Sequence, residues 1–319
     1  MLEQFKGFVP YSDKEIKELW NKATIVVDTN ILINFYRFTN SESTKSLMDI
    51  LNNLKSVGRL WIPNHVALEY FMNYEYFMYK QSEGYKLLER NLIQLKQNAE
   101  KIIKDVKKQH PYVAIEKFQF FIDNIQQSNH VLQNLINAEV DKLPDFKSIQ
   151  DDILELLNEI VGEPFNQERI NQIEKEGQER YKSKVPPGFL DNNKDGYIAY
   201  GDNSYHKMYG DLILWKQIID KANYGESGTP VIFITEDLKE DWWVRKGETV
   251  VRPQPQLIQE FYNVTKQNFY MYRTEDFLRY AIQYLSVEVP DELVKNVTKD
   301  VEQLRMMPDE FREYRNRLM

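Results

Sequence analysis

The sequence predicts an α/β fold: a central parallel sheet flanked by helices, with an inserted α-helical subdomain. Three observations lead there. Short β-branched runs such as "TIVVD" (24–28) and "VIFITED" (231–237) alternate with amphipathic helical stretches, the pattern of a parallel sheet covered by helices. Between Glu75 and Tyr181 strand signals vanish and apolar residues recur at three- and four-residue steps. Both quoted runs end on a carboxylate, Asp28 and Asp237, at the sheet edge where open α/β folds bind ligands.

Residues 1–22 read as an N-terminal helical extension. Residues 23–74 give a strand (Thr24 to Asp28), a helix through "SESTKSLMDILNNLKSVG", a second apolar run "RLWIP", and a helix beginning near Asn64. Residues 75–181 form the helical insertion. Its first helix carries a seam of Tyr85, Leu88, Leu92, Leu95, Ala99, Ile102 and Val106, and ends at Pro111. A second stripe, Phe118, Phe121, Ile125, Leu132, Leu135 and Val140, supplies a packing partner, and shorter helical patterns follow at "IQDDILELLNEIVG" and "NQERINQIEKEGQERY". The stretch "KVPPGFLDNNKDGYIAYGD" reads as a loop. Alternation then resumes to residue 285: helix "DLILWKQIIDKA", strand "PVIFITED", helix "QLIQEFYN", strand "FYMYRT", helix "EDFLRYAIQYLS". Residues 286–319 form a charged tail of helical pattern.

Composition narrows the function. The chain of 319 residues, 42% hydrophobic, is long enough to bury a sizeable core. It has no cysteine, which removes disulfides, thiolate metal sites and thiol nucleophiles and suits a reducing cytoplasm. No apolar run approaches the roughly 20 residues that span a bilayer, and no signal segment is visible, so a soluble, cytoplasmic protein is expected. A net charge of -8 confines any nucleic-acid contact to local patches. Neither a GxGxxG nor a P-loop lysine pattern occurs, which argues against a nucleotide-dependent enzyme.

Four acids draw attention. Asp28 and Asp237 close strands, Glu69 lies on a helix in an otherwise apolar turn, and Asp211 opens the helix "DLILW". Each alone is accounted for as a cap, a turn former or a solvated helix residue. Together, in the order strand, helix, helix, strand, and with no basic partner beside any of them, they read as carboxylates that converge and need a cation. Oxygen-only ligands select hard ions, Mg²⁺ or Mn²⁺. Of the histidines only His65 and His206 lie near these motifs, and they are read as capping or structural.

The segments "VVDTNILINFYR", "LWIPNHVALEYFMN", "PPGFLD", "YGDLILWKQII" and "IFITEDLKEDWW", in that order, resemble the PIN-like nucleases, in particular a bacterial branch with a long helical insertion between its second and third acids. The resemblance spans roughly residues 23 to 280 and includes "RPQPQLIQEF". It implies a Rossmann-like sheet and a metal-dependent site that hydrolyses phosphodiesters. It also implies Asp28, Glu69, Asp211 and Asp237 as the four acids, with Asn30 and Thr235 as polar residues near the metals. Glu236 and Asp241 are alternatives for the fourth acid, and Asp191 matches the "PPG" segment without an assigned role.

Between Lys80 and Lys117 nine Lys/Arg stand against five Asp/Glu, and Lys86, Arg90, Lys101, Lys104 and Lys108 are candidate phosphate contacts on a helix whose other reading is a solvated face. The working expectation is a metal-dependent endonuclease that acts on nucleic acid, RNA favoured over DNA, as a toxin or phage-defence effector. A regulatory protein partner or a homodimer is allowed. The alternative is a catalytically silent scaffold of the same fold that binds RNA or a partner protein through the insertion.

Overall fold

The computed structural model describes residues 2–38, 41–223, 228–247, 249–285 and 291–306. The expected tail therefore lies partly outside the described residues, at 286–290 and 307–319.

The elements in chain order are α1 (Asp13–Lys22), β1 (Thr24–Val27), α2 (Thr29–Asn34), α3 (Ser41–Ser56), β2 (Leu60–Trp61), α4 (Asn64–Gln109), α5 (Gln119–Val140), α6 (Phe146–Leu157), α7 (Gln167–Lys182), β3 (Tyr197–Tyr200) and β4 (Asn203–His206). There follow α8 (Gly210–Ala222), β5 (Val231–Ile234), β6 (Trp243–Lys246), β7 (Thr249–Pro253), α9 (Pro255–Thr265), β8 (Phe269–Tyr272), α10 (Thr274–Leu285) and α11 (Asp291–Met306). The chain divides into two compact units, Met1–Asn73 with Lys147–Met319, and Tyr74–Phe146.

The first unit holds a parallel sheet in the order β2-β1-β5-β8, with Ile25 opposite Leu60, Val26 opposite Phe233, and Phe233 opposite Met271. Helices cover it, so β1 and β5 read as unbroken apolar runs rather than alternating ones: Ile25, Val26, Val27 and Val231 to Ile234 are all buried. Burying each such side chain stabilises the fold by roughly 1.5–3 kcal/mol. β1 connects onward to β2 on one side and β5 to β8 on the other. The chain's direction of travel therefore reverses between β1 and β5, the position at which α/β sheets bind ligands beyond their carboxyl ends.

α1 starts with a reciprocal capping box between Ser12 and Glu15. It carries Trp20 into the core, where the ring stacks on Phe277 and Tyr284 and the indole N–H donates to Tyr272 Oη at 3.2 Å. α11 packs on α3 and α10, which makes the described part of the expected tail a component of this unit.

Several expectations are corrected. The helical unit ends at Phe146 rather than Tyr181, because α7 packs on α8 and β4. In addition, the "IVG" that ends the expected helix at 149–162 leaves α6, so that Val161 bridges Ile62 in parallel and Gly162 N donates to Ile62 O at 2.8 Å. The expected loop 184–202 contains β3 of the β3–β4 hairpin, and a second hairpin, β6–β7, follows β5.

In the second unit, α4 and α5 run antiparallel, tied by Gln133 to Glu89, Asn129 to Leu92 O and Lys96 to Gln126. The half-buried face of α4 is Tyr85, Glu89, Leu92, Lys96, Ala99, Ile103 and Val106. Leu88, Leu95 and Ile102 of the expected seam are exposed. On α5 the inward residues are Ile122, Ile125, Asn129, Leu132, Ile136 and Val140, whereas Phe121 and Leu135, and Phe118 just before the helix, are exposed.

Candidate active site

The carboxyl edge of β1 and β5 gathers acids from five places in the first unit. Asp28 follows β1, Glu69 lies on the opening turns of α4, Asp191 closes the short turn Phe189–Asp191, Asp211 sits in the first turn of α8, and Asp237 and Asp241 follow β5.

Asp28 carries two roles at once. It caps α2, with Oδ1 accepting from Thr29 N at 2.7 Å, while Oδ2 accepts from Asn30 Nδ2 at 2.7 Å and from Thr235 Oγ1 at 2.6 Å. Thr29 Oγ1 donates to Glu69 Oε2 at 2.9 Å, so the first turn of α2 joins Asp28 to α4. Asn30 cannot turn over freely, because its Oδ1 accepts from Glu236 N at 3.0 Å. Burial pushes the Asp28 carboxyl up to about 7, and the charges of Glu69, Asp237 and Asp211 add to the shift against the lowering bond from Thr235. The other three predicted acids are therefore within electrostatic reach of Asp28.

The other half of the cluster is organised by a residue that the sequence did not bring forward. Lys239 Nζ lies 3.0 Å from Asp191 Oδ2, 3.1 Å from Asp211 Oδ2 and 2.9 Å from Asp237 Oδ2, and its own backbone N–H donates to Asp237 Oδ1 at 2.9 Å. The expectation that no basic residue stands beside these acids is thus wrong. Lys239 was legible only as a lone cation within the acidic stretch "TEDLKED", and nothing in that spacing said that it turns back on Asp211 and Asp191. Lys194 Nζ also donates to Asp191 Oδ2. Asp211 is not an N-cap, since Tyr209 holds that position without a side-chain bond. It accepts instead from Trp242 Nε1 at 3.4 Å as well as from Lys239.

The two alternatives for the fourth acid face other partners. Glu236 Oε1 accepts from Thr274 N at 2.8 Å and Oε2 pairs with Arg305, so it ties the loop to α10 and α11. Asp241, fully buried, accepts from Gly188 N at 2.9 Å and Leu190 N at 3.2 Å through Oδ2, and burial first, then Asp211, pushes it up to about 7. It fastens the "PPGFLD" loop to the strand loop. Gly188 is required there: its φ is +91°, and a Cβ would stand 2.3 Å from Tyr181 Oη. His65 is buried with its ring edge-on to Tyr205 and Nε2 3.7 Å from Glu69 Oε1, and His206 Nδ1 accepts from Met208 N at 3.4 Å.

The donors are carboxylates with hydroxyl and amide neighbours, a set that suits a hard divalent ion such as Mg²⁺ or Mn²⁺. Among the described residues no three Asp, Glu or His side chains already stand around one point at ligand distances. An ion there competes with protons on Asp28 and with the ammonium of Lys239. In the second unit Lys86, Arg90, Lys101, Lys104 and Lys108 are all exposed on α4, while Lys96 and Lys107 pair with Glu100 and Glu116.

Among known proteins, no curated relative and no solved structure matches the chain. Residues 24–257 match the PIN-like domain, a stretch that opens at β1, ends within α9 and includes every acid of the cluster. The chain therefore belongs to the PIN-like domain family, part of a nuclease superfamily.

Proposed function

We propose that the protein is a Mg²⁺- or Mn²⁺-dependent endonuclease that hydrolyses phosphodiesters, with RNA favoured over DNA as substrate. The observation that carries this reading is the meeting of Asp28, Glu69, Asp211 and Asp237, from two strand ends and two helices, at the β1–β5 reversal of the sheet, beside hydroxyl and amide groups that fix their orientation. Asp28 and Glu69 would hold the ion, and Asp211 and Asp237, paired with Lys239, complete the acidic cluster. When bound, it supplies charge neutralisation and Lewis-acid polarisation to the phosphate. Thr235 and Asn30 hold Asp28 Oδ2, and Thr29 holds Glu69, which fixes the direction of both carboxylates. The exposed basic residues of α4 are proposed to track the phosphate backbone. The setting proposed for this activity is a cytoplasmic toxin or phage-defence effector, in which a regulatory partner or self-association restrains cleavage.

One observation favours the second reading, a silent scaffold that binds RNA or a protein: Lys239 already neutralises part of the acidic cluster. Incubating the protein with labelled RNA, single-stranded DNA and duplex DNA, with Mg²⁺, Mn²⁺ or EDTA, separates the two. Internal cleavage of RNA that EDTA abolishes supports the nuclease, and binding without cleavage in any metal supports the scaffold. Induced expression in a bacterial host tests the setting: the parent should arrest growth and Asp28→Asn should not.

A further inference from the structure

Lys239 is more than a surface cation that happens to lie near acids. Its side chain is only 12% exposed, and a desolvated ammonium persists only where partners compensate it. Three carboxylates do so at 2.9 to 3.1 Å. They come from the "PPGFLD" turn, the first turn of α8 and the loop after β5, so one nitrogen joins three segments that are distant in sequence. Its position is fixed from the backbone as well. Lys239 N donates to Asp237 Oδ1, and Lys239 O accepts from Trp242 N at 3.1 Å and Trp243 N at 3.0 Å. Both oxygens of Asp237 are thereby taken by this one residue.

We propose that Lys239 is a built-in cation: its ammonium fills the Asp191–Asp211–Asp237 half of the acidic cluster, so the protein takes one divalent ion, on the Asp28–Glu69 side, where a two-metal site would take two. This rests on the reading of the cluster as a metal-dependent site. The physical ground is mutual exclusion. A second divalent ion on those three carboxylates would meet a positive charge within hydrogen-bonding distance of each of them. The ammonium does the charge-neutralising work of a second ion at a fixed place, and it needs no free metal to do so.

Counting bound Mn²⁺ on the full chain, by equilibrium dialysis with electron paramagnetic resonance of the free ion, tests this without reference to activity. The wild type should hold one Mn²⁺ per chain, Lys239→Arg one, and Lys239→Met two. Without metal, Lys239→Met should melt below the parent and recover more of its melting temperature than the parent on adding Mn²⁺. Two ions on the wild type, or one on a folded Lys239→Met, overturns the proposal and leaves the nuclease reading intact. No ion on any of the three overturns both. Should Lys239→Met not fold, the wild-type count still decides, one supporting the proposal and two overturning it.

Discussion

Asp28 is asked to cap a helix and to share a negative cluster, and the two demands separate with pH. Because its folded pKa is raised from 3.8 to about 7, the native state favours the protonated form. That contribution to stability is full below about pH 4 and is lost as the pH climbs through 7. Asp241 shifts the same way, whereas Glu260 and Glu275, held low by Arg180 and Arg305 once burial is overcome, have given their contribution by about pH 5. Metal-free protein should therefore lose stability between pH 5 and 8, on the order of 2 kcal/mol for each of the two aspartates after solvent screening. Thermal melts in EDTA across that range check the sign, and a rise in melting temperature would contradict it. Asp28→Asn keeps a cap acceptor for Thr29 N but presents an amide to Asn30 Nδ2, which Glu236 holds in place. It should be about 1 kcal/mol less stable than the parent at pH 5, with that gap closing or reversing at pH 8. Asp241 separates structure from chemistry at the fourth position. Asp241→Asn can still accept from Gly188 N and Leu190 N and should stay within about tenfold of parental cleavage, while Asp241→Ala leaves two buried donors and should cost about 1–3 kcal/mol in a denaturant titration.

At the scale of elements, α11 braces the loop that follows β5. Arg305 pairs with both Glu236 and Glu275, whose side chains are 9% and 8% exposed. Arg305→Ala should therefore destabilise by about 2–4 kcal/mol in chemical denaturation, since it leaves the poorly hydrated Glu236 without its cation and Glu275 with Arg273 alone. An unchanged midpoint would mean that α11 rests on the unit without bracing it. Much of this level could be read from the residues: β1, β2, β5 and β8 announce themselves through buried apolar runs, and α4 through a stretch free of proline from Asn64 to Gln109. The hairpins β3–β4 and β6–β7 could not. "YIAY" and "NSYH" are short strands around a Gly-Asp turn, the first largely exposed and the second half-buried against α7, and neither carries an apolar run or a clean alternation, so composition reads them as loop. The helical faces of the second unit were found with the right period but partly the wrong side: Leu88, Leu95 and Ile102 follow the pattern, yet Glu89, Lys96 and Ile103 sit inward. At the site the sequence pointed to the acids and missed Lys239, because the bond from residue 239 to residues 191 and 211 depends on how two loops meet.

For the molecule as a whole the charge is divided: an acidic chain of net -8 carries a positive excess on the exposed side of α4. Among the described residues no helix is long and apolar enough to cross a membrane. If the α4 cations meet phosphates, changing Lys86, Arg90, Lys101, Lys104 and Lys108 to Glu should weaken RNA binding and flatten the slope of log affinity against log salt, by roughly 0.7 per lost contact on a single strand. An unaltered slope would leave the helix as a solvated face and place the substrate contacts elsewhere. The central claim, that the acids at the β1–β5 edge are one catalytic cluster, is tested most directly by a single measurement: the Mn²⁺-dependent rate of RNA cleavage by Asp28→Asn and Asp211→Asn, each shown to be folded by its melt. The account predicts that both fall by at least about 10³-fold, the loss expected when a group required in the transition state is removed. Cleavage by either folded variant at the parental rate would contradict it.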